Sequence, residues 1–219
     1  MEEYEIIEKN GVKQIIKQRY IPKNPKITNR SEYFLTRNEI KLMKETALTY
    51  GKNAVTYHAM ICLLVQDLFS RADVVNLKNE YVHLDERKIV LPLHSTKKRQ
   101  PRICPISNEL KYDLLQLVSD KTYVFTHKTK GELSYRKYTV EQINNIIAKI
   151  GRKVGIKPKA GFKHVNTHIF RRSGVVLAKE KGFTKDEIRV IGGWANFKYI
   201  DEVYGTPTAE QISKLETDW

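Results

Sequence analysis

Cysteine and long hydrophobic runs are both scarce in this chain of 219 residues. The two cysteines, Cys62 and Cys104, have apolar neighbours and no C-x-x-C spacing, so the pattern indicates neither a thiolate metal site nor a disulfide framework. The longest apolar run, residues 59–65, falls well short of the roughly 18 residues that span a bilayer. The acidic start, residues 1–5, has no signal-peptide character. We therefore expect a soluble protein of the reducing cytoplasm with no membrane contact.

Negative charge is also in short supply. There are 25 Asp and Glu residues against 39 Lys and Arg, which gives a net charge of +14 and a pI of about 9.6. Such an excess of cations is typical of proteins that bind a polyanion, because neutralising phosphates releases their counterions. A lysine-rich surface that only keeps the protein in solution is the alternative. The histidines form no i, i+4 pair and the acids form no cluster, so we expect no metal and no cofactor.

Apolar periodicity predicts a mostly helical chain. Capping boxes begin three of the helices, at Thr36, Thr139 and Thr184. Predicted helices run from Thr36 onward and over residues 54–69, 107–119, 140–151, 167–181, 184–192 and about 197–204, with a further helix from Pro207. Between them, residues 81–84, 88–91 and 102–106 read as strands of a small antiparallel sheet with a cationic turn at 95–100. Residues 1–30 are short on apolar periodicity and predict no element.

A His-x-x-Arg pair, His168 and Arg171, stands in the first turn of a predicted helix, so the two side chains share a face. Thr167 is the predicted N-cap, and free backbone N–H groups at such an end attract phosphate. Alone, the pair is a weak signal, because an ordinary basic helix face has the same pattern. Its position relative to other motifs carries more information.

Those motifs follow one another in a definite order: residues 33–40 (YFLTRNEI), a basic hairpin, His168-x-x-Arg171, Trp194 after a glycine-ended helix, and Tyr204. In this order the chain resembles the tyrosine recombinases of the phage integrase family, from about Tyr33 to its end. The 23 positions from Arg171 to Trp194 are the family's usual interval. The resemblance implies an α+β, mostly helical catalytic domain with a small antiparallel β-sheet on one side.

The resemblance makes Tyr204 the nucleophile. It stands ten positions after Trp194, where the family most often has nine, and Tyr199 at five positions is the alternative. Aligning residues 102–106 with the family's strand after the hairpin makes Lys97 the hairpin lysine, and the adjacent Lys98 could substitute for it.

The first arginine departs from the family pattern. Ser70 stands where the family has that arginine, and Arg71 comes one step late, which rotates a helical side chain by about 100°. We expect the long guanidinium arm of Arg71 to recover the shift; the alternative is a site without its first arginine. Asp73 would orient the site from behind.

The implied chemistry is phosphoryl transfer without metal or ATP. Arg71, Arg171 and Trp194 would donate hydrogen bonds to the phosphate, His168 would accept the proton of Tyr204, and Lys97 would protonate the leaving 5′ oxygen. Further basic residues either contact the DNA backbone or form solvated surface: Lys98, Arg99, Arg152, Lys153, Lys157, Lys159, His164 and Arg172.

The resemblance also implies domains, function and partners. Residues 1–32 would be a linker or the remnant of an N-terminal core-binding domain, and residues 33–219 the catalytic domain with a C-terminal tail at 205–219. The function would be site-specific recombination or integration of a mobile element through a 3′-phosphotyrosyl intermediate, by a homotetramer on double-stranded DNA that exchanges the tail. Alternatives are a catalytically impaired DNA-binding relative, a tyrosine-type DNA topoisomerase, or a non-enzymatic basic protein such as an RNA-binding module.

Overall fold

The computed structural model describes residues 4–9, 12–17, 33–92, 101–128, 134–159 and 161–204, with side-chain detail between Tyr33 and Asp201. The hairpin residues Lys97, Lys98 and Arg99 and the predicted tail at 205–219 lie outside these ranges.

The described part of the chain is mostly helical, as predicted. Its helices are α1 Arg37–Leu48, α2 Ala54–Val65, α3 Arg71–Val75, α4 Asn108–Leu117, α5 Val140–Val154, α6 Thr167–Glu180, α7 Lys185–Gly192 and α8 Lys198–Tyr204. The strands are β1 Tyr4–Lys9, β2 Val12–Lys17, β3 Val82–His83, β4 Lys88–Leu91, β5 Arg102–Pro105, β6 Thr126–His127 and β7 Arg136–Lys137.

The strands form three small antiparallel sheets: β1-β2, β3-β4-β5 and β6-β7. The central one is the sheet predicted from residues 81–106. The hairpin β6-β7 was not predicted, because each of its strands has two residues, too few to show an alternation. The hairpin β1-β2 lies in the segment for which the sequence predicted no element. The interpretation of residues 1–32 as a linker or domain remnant stays a prediction.

Capping boxes begin four of the helices. The predicted capping boxes at Thr36, Thr139 and Thr184 are all present, and Ser70 forms a fourth with Asp73. In each box the capping hydroxyl accepts the N3 backbone N–H, and the N3 side chain accepts the cap's own N–H.

The predicted extent of the second helix, residues 54–69, is wrong. Helix α2 ends at Val65, and the chain then turns through Leu68, whose φ is +53°. Ser70 therefore caps a separate short helix, α3, instead of ending the long one. The apolar run continued through the turn because Leu68 and Phe69 are also buried, and burial alone does not reveal where a helix stops.

The predicted N-cap of α6 is also wrong by one residue. The side chain of Asn166 caps the helix by accepting the N–H groups of His168 and Ile169 at 3.0 and 3.2 Å. Thr167 is already inside the helix, buried, and its hydroxyl donates to Asn144. Asparagine is as good a cap as threonine, so the sequence allowed both positions. Two of the N–H groups expected to attract phosphate are thus taken by Asn166.

Helix α2 is the centre of the core, since residues 59–65 are all buried. It packs against α1, α4 and α6. A smaller buried cluster joins α6 to α7 and α8 and consists of Leu68, Val175, Val176, Ile188, Trp194 and Ile200. This second cluster holds the helices that carry the motifs of the C-terminal half. Within the described residues, no helix is long and apolar enough to cross a membrane.

An ion cluster lies inside the core. The ring nitrogens of His58 lie 2.6 Å from Asp113 and 3.0 Å from Glu109. Burial alone would lower the pKa of His58, but hydrogen bonds to Asp113, Cys62 and Glu109 outweigh it and raise the pKa to about 11. The same contact with His58 lowers the pKa of Glu109 to about 2. Although His58, Cys62 and Asp113 have metal-ligand chemistry, both ring nitrogens are used by carboxylates, so the cluster satisfies itself as a buried ion pair.

Candidate active site

Helix α6 presents His168 and Arg171 on one face, as their spacing predicted. The guanidinium of Arg171 donates through Nη2 to the carbonyl of Gly192 at the end of α7. Its Cζ also lies 4.3 Å from the centroid of the Trp194 ring, a cation–π contact. Two motifs that are 23 positions apart in the sequence are thereby in direct contact.

The turn between α7 and Trp194 requires both of its glycines. A Cβ on Gly192 would lie 1.8 Å from the Trp194 ring, so a side chain there would displace the indole. Gly193 ends α7 with φ +63°, and a Cβ there would lie 2.3 Å from Cδ of Arg102. The glycine pair lets Trp194 fold back against Arg171.

Helix α8 follows this turn and contacts both α6 and α7. Tyr199, near its start, stacks on Trp194 with ring centroids 5.1 Å apart and an interplanar angle of 22°. Tyr199 is therefore a packed neighbour of Trp194. Tyr204 is the last residue of α8, and its side chain lies outside the described detail.

Helix α3 brings the third part of the site. Ser70, the residue in register with the family's first arginine, uses its hydroxyl to accept the N–H of Asp73 at 3.2 Å. Arg71 is the first residue of the helix and is half-buried. We refer to Arg71, Asp73, His168, Arg171 and Trp194 together as the arginine site.

Sequence reasoning missed Arg102, which is buried beneath the arginine site with 3% of its surface exposed. Its Nη1 lies 3.3 Å from Oδ2 of Asp73, and its Nη2 donates to the carbonyls of Asp67, at 2.6 Å, and Ile191. The sequence of β5 contains a signal for the burial of Arg102, because successive side chains of a strand point to opposite faces of the sheet. Cys104 is apolar and buried, and the same phase turns Arg102 inward while Ile103 is 62% exposed.

The electrostatics of the site favour an anion. Burial and, second to it, the nearby charge of Arg102 lower the pKa of Arg171 to about 10, against the opposing effects of Asp73 and Tyr199. The guanidinium stays charged at neutral pH. An anion that accepts hydrogen bonds from Arg171 would offset both the desolvation of its guanidinium and the repulsion from Arg102.

The pKa of His168 is lowered by partial desolvation first and then by the positive charges of Arg71, Arg171 and Arg172. The ring is consequently neutral at neutral pH and able to accept a proton. Arg71, on α3, is thus within electrostatic reach of His168 on α6.

Of the predicted DNA contacts, Arg152, Lys153, Lys157, Lys159 and His164 are all exposed, along the end of α5 and the loop after it. Arg172 is half-buried, and its Nη1 donates to the carbonyl of Tyr33 at 3.2 Å. That bond joins α6 to the segment before α1.

Comparison with known proteins identifies the family of the chain. The sequence profile of the phage integrase family matches residues 33–211, which is most of the chain. The chain belongs to the phage integrase family. No curated protein sequence matches it.

Solved structures with a similar fold come from the same group of proteins. XerA recombinase is similar with a TM-score of 0.67 and 21% identity over 84% of this chain and 64% of that one. The Tn1549 transposon integrase, in complex with transposon right end DNA, is similar with a TM-score of 0.65 and 14% identity over 87% of this chain and 67% of that one.

The catalytic domain of bacteriophage HP1 integrase is similar with a TM-score of 0.58 and 15% identity, over 85% of this chain and 95% of that domain. At these identities the likeness shows the fold: a mostly helical domain with small antiparallel sheets. The chain spans about two thirds of the length of the XerA recombinase and Tn1549 integrase chains.

Proposed function

We propose that this chain is the catalytic part of a site-specific DNA recombinase that cleaves and rejoins DNA through a 3′-phosphotyrosyl intermediate. The observation that carries the proposal is the contact of Arg171 with both Gly192 and Trp194, beside the neutral ring of His168 and the helix of Arg71. These are the motif residues of the family in a positively charged site. The match of the family profile supports the same reading.

In the proposed reaction the arginines stabilise charge. Arg171 and Arg71 donate charge-assisted hydrogen bonds to the non-bridging oxygens of the scissile phosphate, and the indole N–H of Trp194 adds another donor. Negative charge that builds up on the phosphorane is met by fixed donors whose positions are set before the reaction begins.

The proton transfers are assigned to His168 and Lys97. Tyr204 attacks phosphorus while His168 accepts its phenolic proton, and Lys97 protonates the departing 5′ oxygen. One P–O bond forms as another breaks, so the 3′-phosphotyrosyl link keeps the energy of the cleaved bond. A 5′ hydroxyl from another strand reverses the step, and the cycle needs neither ATP nor a metal ion.

The proposed partner is double-stranded DNA. The supporting feature is the exposed cationic segment of Arg152, Lys153, Lys157, Lys159 and His164, together with the net charge of +14. The Tn1549 transposon integrase, which is similar in fold, was solved in complex with transposon right end DNA, and this supports the proposal. Exchange of residues 205–219 among four protomers would join the assembly.

Covalent trapping tests the proposal. The substrate is a pool of duplexes of randomised sequence, each labelled at the 5′ end of one strand and nicked near the centre of that same strand. Cleavage just before the nick releases a short piece with a 5′ hydroxyl, which diffuses away and cannot reverse the reaction. We expect a labelled protein–DNA adduct that survives SDS. Tyr204→Phe should lose the adduct and keep the affinity for DNA, while the matched variant Tyr199→Phe should keep the adduct, because Tyr199 is a packing partner of Trp194.

The same experiment separates the alternatives. Loss of the adduct in Tyr199→Phe together with its persistence in Tyr204→Phe would show that the spacing argument picked the wrong tyrosine. DNA binding without any adduct in the unaltered chain would identify the impaired DNA-binding relative. Relaxation of a supercoiled plasmid, with no strand exchange between two labelled duplexes, would identify the topoisomerase.

A further inference from the structure

Arg102 connects parts of the chain that are distant in sequence. Its Nη1 lies 3.3 Å from Oδ2 of Asp73, in the first turn of α3. Its Nη2 donates to the carbonyl of Asp67, in the turn after α2, and to the carbonyl of Ile191, at the end of α7. One guanidinium on β5 therefore holds three other segments.

The surroundings of Arg102 are fitted to its side chain. Cζ lies 4.9 Å from the centroid of the Phe69 ring, a cation–π contact. A Cβ on residue 193 would lie 2.3 Å from Cδ of Arg102, too close for both, so glycine at that position makes room for the arginine. A long polar side chain in the core with this many partners is held in one geometry.

Two of the three segments that Arg102 holds carry or adjoin members of the arginine site. Arg71 begins the helix that Asp73 belongs to. Ile191 is adjacent to Gly192, whose carbonyl accepts from Arg171, and Trp194 follows two positions later. The charge of Arg102 also acts directly on Arg171, since it lowers the pKa of that group. Moving Arg102 would change the separation between Arg71 on one side and Arg171 with Trp194 on the other.

We infer that Arg102 is a positioning residue that sets the distance between the Arg71 and Arg171 guanidiniums, so that both reach one phosphate. The inference rests on the proposed function. With 3% of its surface exposed and its guanidinium nitrogens Nη1 and Nη2 bonded to protein groups, Arg102 does not itself touch DNA. Asp73, through its contact with Arg102, fixes the helix that Arg71 begins.

The test measures adduct formation by Arg102→Lys and Arg102→Met on the duplex recovered from the trapping experiment. Lysine keeps the charge but replaces the guanidinium fork with a single ammonium, and methionine keeps much of the packing over Phe69. We expect Arg102→Lys to fold and to bind DNA within about twofold of the unaltered chain, while cleavage at saturating DNA slows by about 100-fold, the usual cost of misplacing reacting groups by an ångström. The matched control is Arg87→Met, which removes an arginine that bonds to Asn108 and the Ile106 carbonyl. It should cleave normally.

A second substrate separates positioning from general destabilisation. Replacing the scissile phosphate with a methylphosphonate removes its negative charge, so the arginines contribute less to the reaction. The defect of Arg102→Lys should then shrink at least about tenfold relative to the unaltered chain. A variant that was merely unfolded would instead show the same defect on both substrates.

The outcomes are distinct. Normal cleavage by Arg102→Lys, or an equal defect on phosphate and methylphosphonate, would overturn the positioning role. Parallel losses of thermal stability, DNA affinity and cleavage would overturn it as well, because they would mark Arg102 as a structural residue only. No adduct from the unaltered chain would instead refute the proposed function.

Discussion

Asp67, in the turn between α2 and α3, has a carboxyl group that is buried in the protein interior. It is 2% exposed, and its Oδ2 has no hydrogen-bond partner among the described residues. Burial raises its pKa to about 8, although the positive charges of Arg102 and Lys44 oppose the shift. Its backbone carbonyl, which accepts from Arg102, contributes to the fold, while its side chain is a cost at neutral pH.

Because the pKa of Asp67 is raised in the folded chain, the stability gained by Asp67→Asn should depend on pH. The folded chain holds the Asp67 proton up to about pH 8, whereas the unfolded chain releases it near the ordinary value of 3.8. Wild-type stability therefore falls as pH rises between these values, and asparagine, which has no proton to lose, avoids the fall. We expect the melting temperature of the variant relative to wild type to increase by roughly 8–16 °C between pH 5 and pH 8, about 4 kcal/mol.

Asp73→Asn is the matched control, because Asp73 accepts the Ser70 N–H at 2.8 Å and contacts Arg102. It should lower the melting temperature at both pH values, since a neutral asparagine would leave the buried Arg102 guanidinium without its negatively charged partner. A melting difference for Asp67→Asn that is the same at pH 5 and pH 8 would mean that Asp67 is ionised in the folded chain.

At the scale of elements, the crossing of α6 over α2 determines where His168 and Arg171 lie. The two helices approach so closely at Gly174 that a Cβ there would lie 2.2 Å from the carbonyl oxygen of Val65 and 2.5 Å from Cδ2 of Leu68. The obstacle is backbone, which cannot move aside as a side chain can. Ser173, next to Gly174, donates to the Ile169 carbonyl and accepts the N–H of Leu35.

Gly174→Ala should therefore destabilise the protein, even though alanine favours a helix over glycine by about 1 kcal/mol. We expect overpacking to dominate and the unfolding free energy to fall by about 1–3 kcal/mol, measured by urea denaturation. Gly151→Ala, in α5, is the matched control, because its Cβ would meet side-chain atoms of Val165 at 3.0 and 3.1 Å. It should cost less. Equal stability of Gly174→Ala and wild type would show that α6 and α2 lie further apart than the structure has them.

At the scale of the whole molecule, the excess of positive charge predicts how the chain would bind DNA under the proposed function. Several cations are tied to neighbouring carboxylates, for example Lys41 to Glu45 and Lys88 to Glu86. The exposed segment that follows α5 is richer in cations than in acids. Affinity should come mainly from phosphate contacts, so binding should weaken log-linearly with salt and hardly distinguish sequences.

Two triple variants locate the contacts. One changes three lysines of the exposed segment to glutamine: Lys153, Lys157 and Lys159. The other changes three lysines that form ion pairs elsewhere: Lys41, Lys78 and Lys88. Both lose three charges, but only the first should reduce the slope of log K against log salt, by about 3. Equal slopes for both variants, or strong sequence discrimination with a shallow slope, would place the DNA interface elsewhere.

The sequence by itself determined the features that depend on near neighbours. The capping boxes at Thr36, Thr139 and Thr184 are complete within four residues, so no distant part of the chain is needed to form them. The motif order and the family's intervals likewise identified the family, and the pairing of His168 with Arg171 follows from helical geometry. The end of α2 and the cap of α6 were missed, because neighbouring residues there satisfied the same local rule.

Only the tertiary structure decided what surrounds the arginines. Arg102 lies 29 positions from Asp73 and 89 from Ile191, and no local pattern links residues so far apart. Burial raises the pKa of Asp67, and burial together with the charge of Arg102 on another element lowers the pKa of Arg171. Solvation and Coulomb interactions depend on distance in space, and the chain acquires those distances when its helices pack.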